Sequence, residues 1–261
     1  MPKIKTKEEL LAAYKKANKL RREVIANKAG FDSGDDYLAH LLAGISSTKD
    51  TKELVIHNVH ILDCSGSMNG SKIINAVRGI NSEIDDLKGD TETTYLQSFV
   101  PFSYGGSSFR LPTAMAQPIG TVSKVTARAS GYTALYQALG ETLEYLKANK
   151  SPNEKTLVKV FTDGGENDSK GKYADSGVLS RLIDSCKELD ITVTFVGTKT
   201  DVGHVISRLK IDESNTLVHQ NTAESVQASF LASTKATRGY IKKAKAGEDT
   251  LVGFYKQSGT L

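Results

Sequence analysis

Three short fragments of this sequence bring together residues suited to metal chemistry: Asp63-Cys64-Ser65-Gly66-Ser67, Gly131-Tyr132-Thr133 and Thr162-Asp163-Gly164. Asp63, Ser65, Ser67, Thr133 and Asp163 supply two carboxylates and three hydroxyls, all oxygen donors. Hard divalent cations take such ligands, and Mg²⁺ in particular wants near-octahedral oxygen geometry with several waters retained. Mg²⁺ is therefore the expected cation, with Ca²⁺ or Mn²⁺ as alternatives of the same ligand chemistry.

These fragments must be positioned by the elements around them. The near-continuous apolar run over 54–62 reads as a parallel strand covered on both faces, and it ends at Asp63. A second such run, 157–162, ends at Asp163, and Thr133 stands just ahead of an amphipathic helix over 134–147. Further helices are expected at 71–87, 175–189, 202–209 and 223–234, and further strands at 93–102, 191–196 and 216–219. The stretch 107–125 holds Pro112 and Pro118, which exclude a central strand and leave an antiparallel edge strand with loops. Strands alternating with helices give an α/β fold: a doubly wound, mostly parallel sheet with one antiparallel edge strand. Such sheets bind ligands beyond the carboxyl ends of their strands, near the point where the strand order reverses. All three fragments fall at that edge.

In this order and spacing the fragments resemble those of the von Willebrand factor A (vWA) family. Ile61-Leu62-Asp63-Cys64-Ser65-Gly66-Ser67-Met68 is similar to that family's first strand and metal loop. Ser130-Gly131-Tyr132-Thr133-Ala134-Leu135 is similar to its glycine–threonine loop, with Tyr132 where a second glycine is often found. Val160 to Asn167 resembles its fourth strand and Asp loop, and Ile191 to Gly197 its fifth strand. The likeness covers residues 52–234, leaving an N-terminal helical extension, 1–47, and a basic C-terminal helix or tail, 235–261.

The resemblance implies a metal-ion-dependent adhesion site. Ser65 and Ser67 would then coordinate through their hydroxyls, Asp63 and Asp163 directly or through water, and Thr133 directly in one state and through water in another. A sixth ligand would come from a partner protein as an Asp or Glu carboxylate. The implied function is divalent-metal-dependent protein binding by an interaction or assembly factor of the stand-alone, bacterial or phage type.

Enzyme motifs are missing. Gly66-Ser67-Met68-Asn69-Gly70 places its serine one position too early for a nucleophile elbow, and no phosphate-binding loop, H-E-x-x-H or C-x-x-C occurs. Mg²⁺-dependent phosphoryl transfer would need a second metal, a base or a positioned Arg or Lys, and the sequence shows none beside the loops. Cys64 reads as a small buried residue. His57 and His60 read as core or edge residues with satisfied nitrogens. Glu166, Asp168 and Asp175 read as a solvated acidic rim, and Phe99, Phe102, Tyr104 and Phe109 as core and hairpin.

The overall charge of +4 is uneven. Residues 1–30 carry nine Lys/Arg against three Glu and residues 235–261 six against two acids, so the middle is acidic. Basic ends of this kind either face a nucleic acid, which is the alternative function, or are the solvated faces of helices. An amphipathic helix over 7–28, a shorter one over 35–43 and a polar linker over 44–52 are expected at the N-terminal end. No run of about 18 apolar residues is present, so no membrane span is expected. No apolar segment follows the basic N-terminus, and two cysteines make no disulfide framework, so a reducing cytoplasmic location is expected.

Overall fold

Val55–Asp63 (β1) is buried on both sides in the computed structural model, which describes residues 54–103, 116–120 and 125–256. Its neighbours are Thr94–Phe102 (β2) and Glu154–Phe161 (β4), both parallel to it. Gln117–Pro118 (β3) pairs antiparallel with β2 at one edge. Ile191–Gly197 (β5) and Thr216–Val218 (β6) extend the sheet on the other side. Among the described residues the order is β3-β2-β1-β4-β5-β6, a mostly parallel sheet with one antiparallel edge strand. The order reverses between β1 and β4. Pro118 is tolerated because β3 lies at the edge, where a missing N–H breaks no second ladder.

Successive side chains of β1 enter different cores. Val59 and Ile61 pack with Leu135–Asn149 (α2), Ser176–Lys187 (α3) and Lys199–His204 (α4). Ile56 and Leu62 pack with Ser71–Lys88 (α1) and Ala223–Lys245 (α5). This period of two is the pleat of a strand covered on both sides. Gly79 lets α1 and α5 close up, since a Cβ there would stand 2.4 Å from the Phe230 ring. Phe230 stacks in turn on Phe161 of β4, with ring centroids 4.0 Å apart.

α5 runs well past residue 234, where the sequence analysis ended both the helix and the family likeness. Ala236, Thr237, Tyr240, Ile241 and Ala244 continue its buried stripe at helical spacing. Lys235, Arg238, Lys242 and Lys245 are exposed, and Arg238 and Lys245 pair with Asp86 and Asp90. The basic character of this segment is thus the outer face of a packed helix. Beyond it, Phe254 and Tyr255 return to the same core, held by Tyr255 N–H to Ser214 O at 2.9 Å and Phe254 N–H to Asn215 Oδ1 at 3.1 Å. The expected 202–209 helix is divided between α4 and a wider π turn, Val205–Leu209. The N-terminal helices, the linker, Tyr104 and Phe109 lie outside the described residues.

The α1/α5 side of the sheet also carries charge. Lys159 of β4 is wholly buried and bonds to Glu83 of α1, itself wholly buried. Asn58 donates to Glu83 Oε1 at 3.0 Å and to Gln97 Oε1 at 3.1 Å, and Lys159 reaches Thr237 of α5 at 3.3 Å. Burial holds the Lys159 ammonium below its usual range, against the pull of Glu83. His57 has both ring nitrogens bonded, to Glu154 and Ser98, as the sequence analysis expected. His60 does not: its Nδ1 is buried with no partner.

Candidate functional site

The β1–β4 register places Leu62 beside Phe161, so both strands end at one level. Asp63 closes β1, and Thr162-Asp163 leaves β4 next to it, at the reversal of the strand order. The first loop is then tied to the second by backbone bonds: Gly66 N–H to Gly131 O at 2.9 Å and Ser130 N–H to Cys64 O at 2.7 Å. Gly131 takes a positive φ of 77° here, which suits glycine. The second loop is tied to the third by a reciprocal pair. Asn167 N–H donates to Thr133 O at 3.1 Å, and Thr133 N–H donates to Asn167 Oδ1 at 3.0 Å.

These ties bring the five expected residues together. Ser65 N–H donates to Asp63 Oδ1 at 2.7 Å, Ser65 Oγ lies 3.0 Å from Ser67 Oγ, and Ser67 Oγ donates to Asp163 Oδ1 at 2.6 Å. A Cβ on Gly164 would lie 3.5 Å from Ser67 Oγ and 3.7 Å from Thr133 Oγ1. Asp63, Ser65, Thr133 and Asp163 are buried, and Ser67 is exposed at the mouth. Burial raises the Asp63 carboxyl to about 6, despite hydrogen bonds from Thr162 and Ser65. A nearby cation would relieve that cost. Among the described residues, three or more His, Cys, Asp or Glu nowhere cluster as a metal site. The donors gathered here are instead mainly hydroxyls beside two carboxylates, and they fit a hard, oxygen-seeking divalent cation.

Several participants escaped the sequence analysis. Thr162 donates to Asp63 Oδ2 at 2.5 Å and accepts from Gly164 N–H at 3.1 Å, fixing the carboxylate and the turn together. His219 holds the Thr162 carbonyl through Nε2 at 3.0 Å and accepts the Asn221 N–H on Nδ1. The most consequential is Lys72, in the first turn of α1. Its ammonium pairs with Asp163 Oδ2 and also donates to Asn221 Oδ1 at 3.0 Å. This corrects the expectation that no Lys or Arg is positioned beside the loops. Lys72 stands five residues after Ser67, in the first turn of the helix already expected over 71–87, but the sequence does not show that this turn faces the end of β4.

The acids beyond Asp163 have structural work. Glu166 accepts from the N–H groups of Tyr136, Asp168 and Ser169 and from Ser169 Oγ, capping α2 with negative charge at its N-terminus. Asp175 caps α3 through the Gly177 N–H at 2.8 Å. Cys64 is buried, and burial together with the Asp63 charge pushes its thiol up to about 12, which keeps it from acting as a thiolate nucleophile. Tyr132, 65% exposed, stands beside Thr133 at the mouth.

A sequence model of the von Willebrand factor type A domain matches residues 59–232, more than half of the chain. The chain belongs to that family. No curated protein matches it by sequence. Among solved structures this vWA chain is similar to the pilus adhesin SpaC from Lactobacillus rhamnosus GG, at 13% identity and a TM-score of 0.54 over 72% of this chain and 30% of SpaC. It is similar to the PilB minor pilin from Streptococcus sanguinis, at 14% identity and a TM-score of 0.50 over 71% of this chain and 62% of PilB. It is also similar to a von Willebrand factor type A protein from Catenulispora acidiphila, at 20% identity and a TM-score of 0.48 over 70% of this chain and 42% of that one. The chain spans less than two thirds of each of these proteins. The likenesses to SpaC and PilB show the fold. Domains of the family generally mediate protein–protein interaction. Among the described residues no helix is long and apolar enough to cross a membrane.

Proposed function

We propose that this chain binds a protein partner through a divalent cation, Mg²⁺, held by Asp63, Ser65, Ser67, Thr133 and Asp163. The observation that supports this most is the convergence of these oxygen donors at the strand reversal, around a buried carboxylate raised by its own desolvation. Bound Mg²⁺ would supply an open coordination position that favours an anionic oxygen over water. An Asp or Glu of the partner fits that position. The chain's own residues do the rest: Thr162 orients Asp63, Asn167 fixes the Thr133 backbone, and Tyr132 offers an exposed aromatic contact beside the mouth. Lys72 must give up Asp163 for that carboxylate to serve the cation.

In this reading the protein is an interaction or assembly factor working inside the cell. Capture of partners from a lysate of the source cells, in Mg²⁺ and in EDTA, tests it. A partner held in Mg²⁺ and released by EDTA supports the reading, and a partner held equally in both overturns it. Nucleic-acid binding through the basic ends is less supported, because Arg238 and Lys245 are already paired with acids of the same domain.

A further inference from the structure

Beside the five donors, on the α2/α4 side of the sheet, lies a cavity of about 300 Å³. Its apolar walls come from the buried side chains of Leu135, Phe195 and Val205. Asp201 also lines it and is 7% exposed, and its two carboxylate oxygens are used differently. Oδ2 accepts from the Thr198 N–H at 3.3 Å and from the Thr198 hydroxyl at 2.5 Å, in the capping box of α4. Oδ1 accepts no hydrogen bond from any described residue. It lies against Gly165, another lining residue, where a Cβ would stand 3.4 Å from it. The missing side chain at Gly165 leaves that oxygen uncovered.

A buried carboxylate with one idle oxygen, set among apolar walls, calls for a positively charged donor. The other charges agree. Glu166 adds a second carboxylate to the lining, although its own oxygens are taken by four internal donors. Arg208 is the one lining residue of fixed positive charge, and it stands exposed at the mouth. Two carboxylates thus face one guanidinium, and an anionic occupant would be repelled. The idle oxygen also selects the kind of cation. A guanidinium binds a carboxylate best through both oxygens, and Oδ2 is already occupied. An ammonium is a point charge and needs only one oxygen. The alkyl stem behind it can lie along Leu135, Phe195 and Val205.

We infer that this cavity takes a lysine side chain of the protein partner, its ammonium donating to Asp201 Oδ1. The inference rests on the metal-dependent binding proposed above and adds to it a sequence requirement: the partner segment carries an acid for the cation and a lysine for the cavity. The two positions are close together. A Cβ on Gly164 would lie 3.5 Å from Ser67 Oγ, and the next residue, Gly165, abuts Asp201 Oδ1. An extended segment advances about 3.3–3.6 Å per residue, so the acid and the lysine fall within a few residues of each other.

The test uses the full chain and a defined probe, a hexapeptide of alternating aspartate and lysine with blocked ends, titrated at fixed salt in Mg²⁺ and in EDTA. The comparison peptide is the same with its lysines acetylated, which removes their charge. In Mg²⁺, acetylation is expected to weaken binding to the wild type about fivefold or more. In Asp201→Asn, whose amide oxygen can still accept from Thr198, acetylation is expected to make little difference. Gly165→Ala, whose methyl group would cover Oδ1 without touching the Thr198 bonds, is expected to shrink the difference too. Glu188→Gln, which removes the same charge from the far end of α3, is expected to keep it in full. Equal binding of the two peptides to the wild type would overturn the inference. So would an undiminished difference in both Asp201→Asn and Gly165→Ala, an equal loss of it in Glu188→Gln, or no binding of the lysine peptide to the wild type at millimolar concentration. If EDTA leaves binding unaffected while the difference still depends on Asp201, the cavity stands and the metal-dependent reading falls. Unchanged melting temperatures separate these outcomes from misfolding.

Discussion

α1 and β4 meet through two lysine–carboxylate pairs with opposite polarity. At the carboxyl edge of the sheet α1 gives the cation, Lys72, and the segment leaving β4 gives the anion, Asp163. Eleven positions further along α1 and four earlier on β4, the roles reverse: Glu83 is the anion and Lys159 the cation. The inner pair is fully buried on both sides, whereas the Lys72 side chain is 19% exposed. A partly exposed lysine can swing its ammonium into water while its stem stays packed. A fully buried one has nowhere to go. The outer pair can thus exchange one cation for another, and the inner pair fixes the two elements together.

The largest expected effect lies at the inner pair. Removing one member leaves a buried charge uncompensated, so Lys159→Ala or Glu83→Ala should destabilise by about 3–5 kcal/mol in urea melts. Replacing both, as Glu83→Leu with Lys159→Met, should recover most of that loss, since buried pairs often cost as much in desolvation as they return. A double variant no more stable than either single one would break the distinction between the pairs.

A smaller effect belongs to His60, which shares this buried cluster. Burial, reinforced by the Lys159 charge, holds its pKa well below the ordinary 6.5, so the imidazole is neutral in the folded protein. The unfolded chain binds the proton first as pH falls below 6.5. The His60 contribution to stability is therefore fully present above that value and declines below it, by at most about 1.4 kcal/mol per pH unit, while Asp63, raised to about 6, acts in the opposite sense in the wild type and in His60→Gln alike. Denaturant melts between pH 7.5 and 5 check this, and His60→Gln should flatten the slope.

The outer pair gives the smallest change in stability and the clearest change in binding. Lys72→Met should destabilise the metal-free protein less than either inner-pair variant, because Ser67 still donates to the buried Asp163 carboxylate. It should tighten Mg²⁺ binding, because Asp163 no longer has to release an ammonium. Weaker Mg²⁺ binding in Lys72→Met would show that the lysine supports the site and does not compete for it.

The contrast also explains what the sequence disclosed. That Asp63, Ser65, Ser67, Thr133 and Asp163 fall at one edge was legible because each sits where an apolar run or helix pattern breaks, and β1 and β4 end as that pattern implies. The parallel sheet with an antiparallel edge was legible from the same runs. Lys72, Thr162, His219 and Asn221 were not assigned roles, because their meeting depends on how α1, β4 and the segment after β6 come together, which local periodicity does not encode. Lys159 interrupts an apolar run as a solvent-facing residue would, and only α1 and α5 over that side make it interior. The length of α5 was missed because its lysines suggested a tail, although Tyr240, Ile241 and Ala244 keep the helical stripe. Glu166 looked like a solvated acid because three of its four donors are backbone N–H groups, which a sequence does not display.

The central claim is that Asp63, Ser65, Ser67, Thr133 and Asp163 hold a divalent cation. Calorimetric titration of Mg²⁺ into EDTA-stripped, dialysed protein tests it most directly, with Asp63→Ala measured alongside. The expected result is a single site in the wild type, lost in Asp63→Ala while the variant still melts cooperatively as a folded protein. Equal Mg²⁺ affinity in the two proteins, or no Mg²⁺ binding to the wild type, would contradict it.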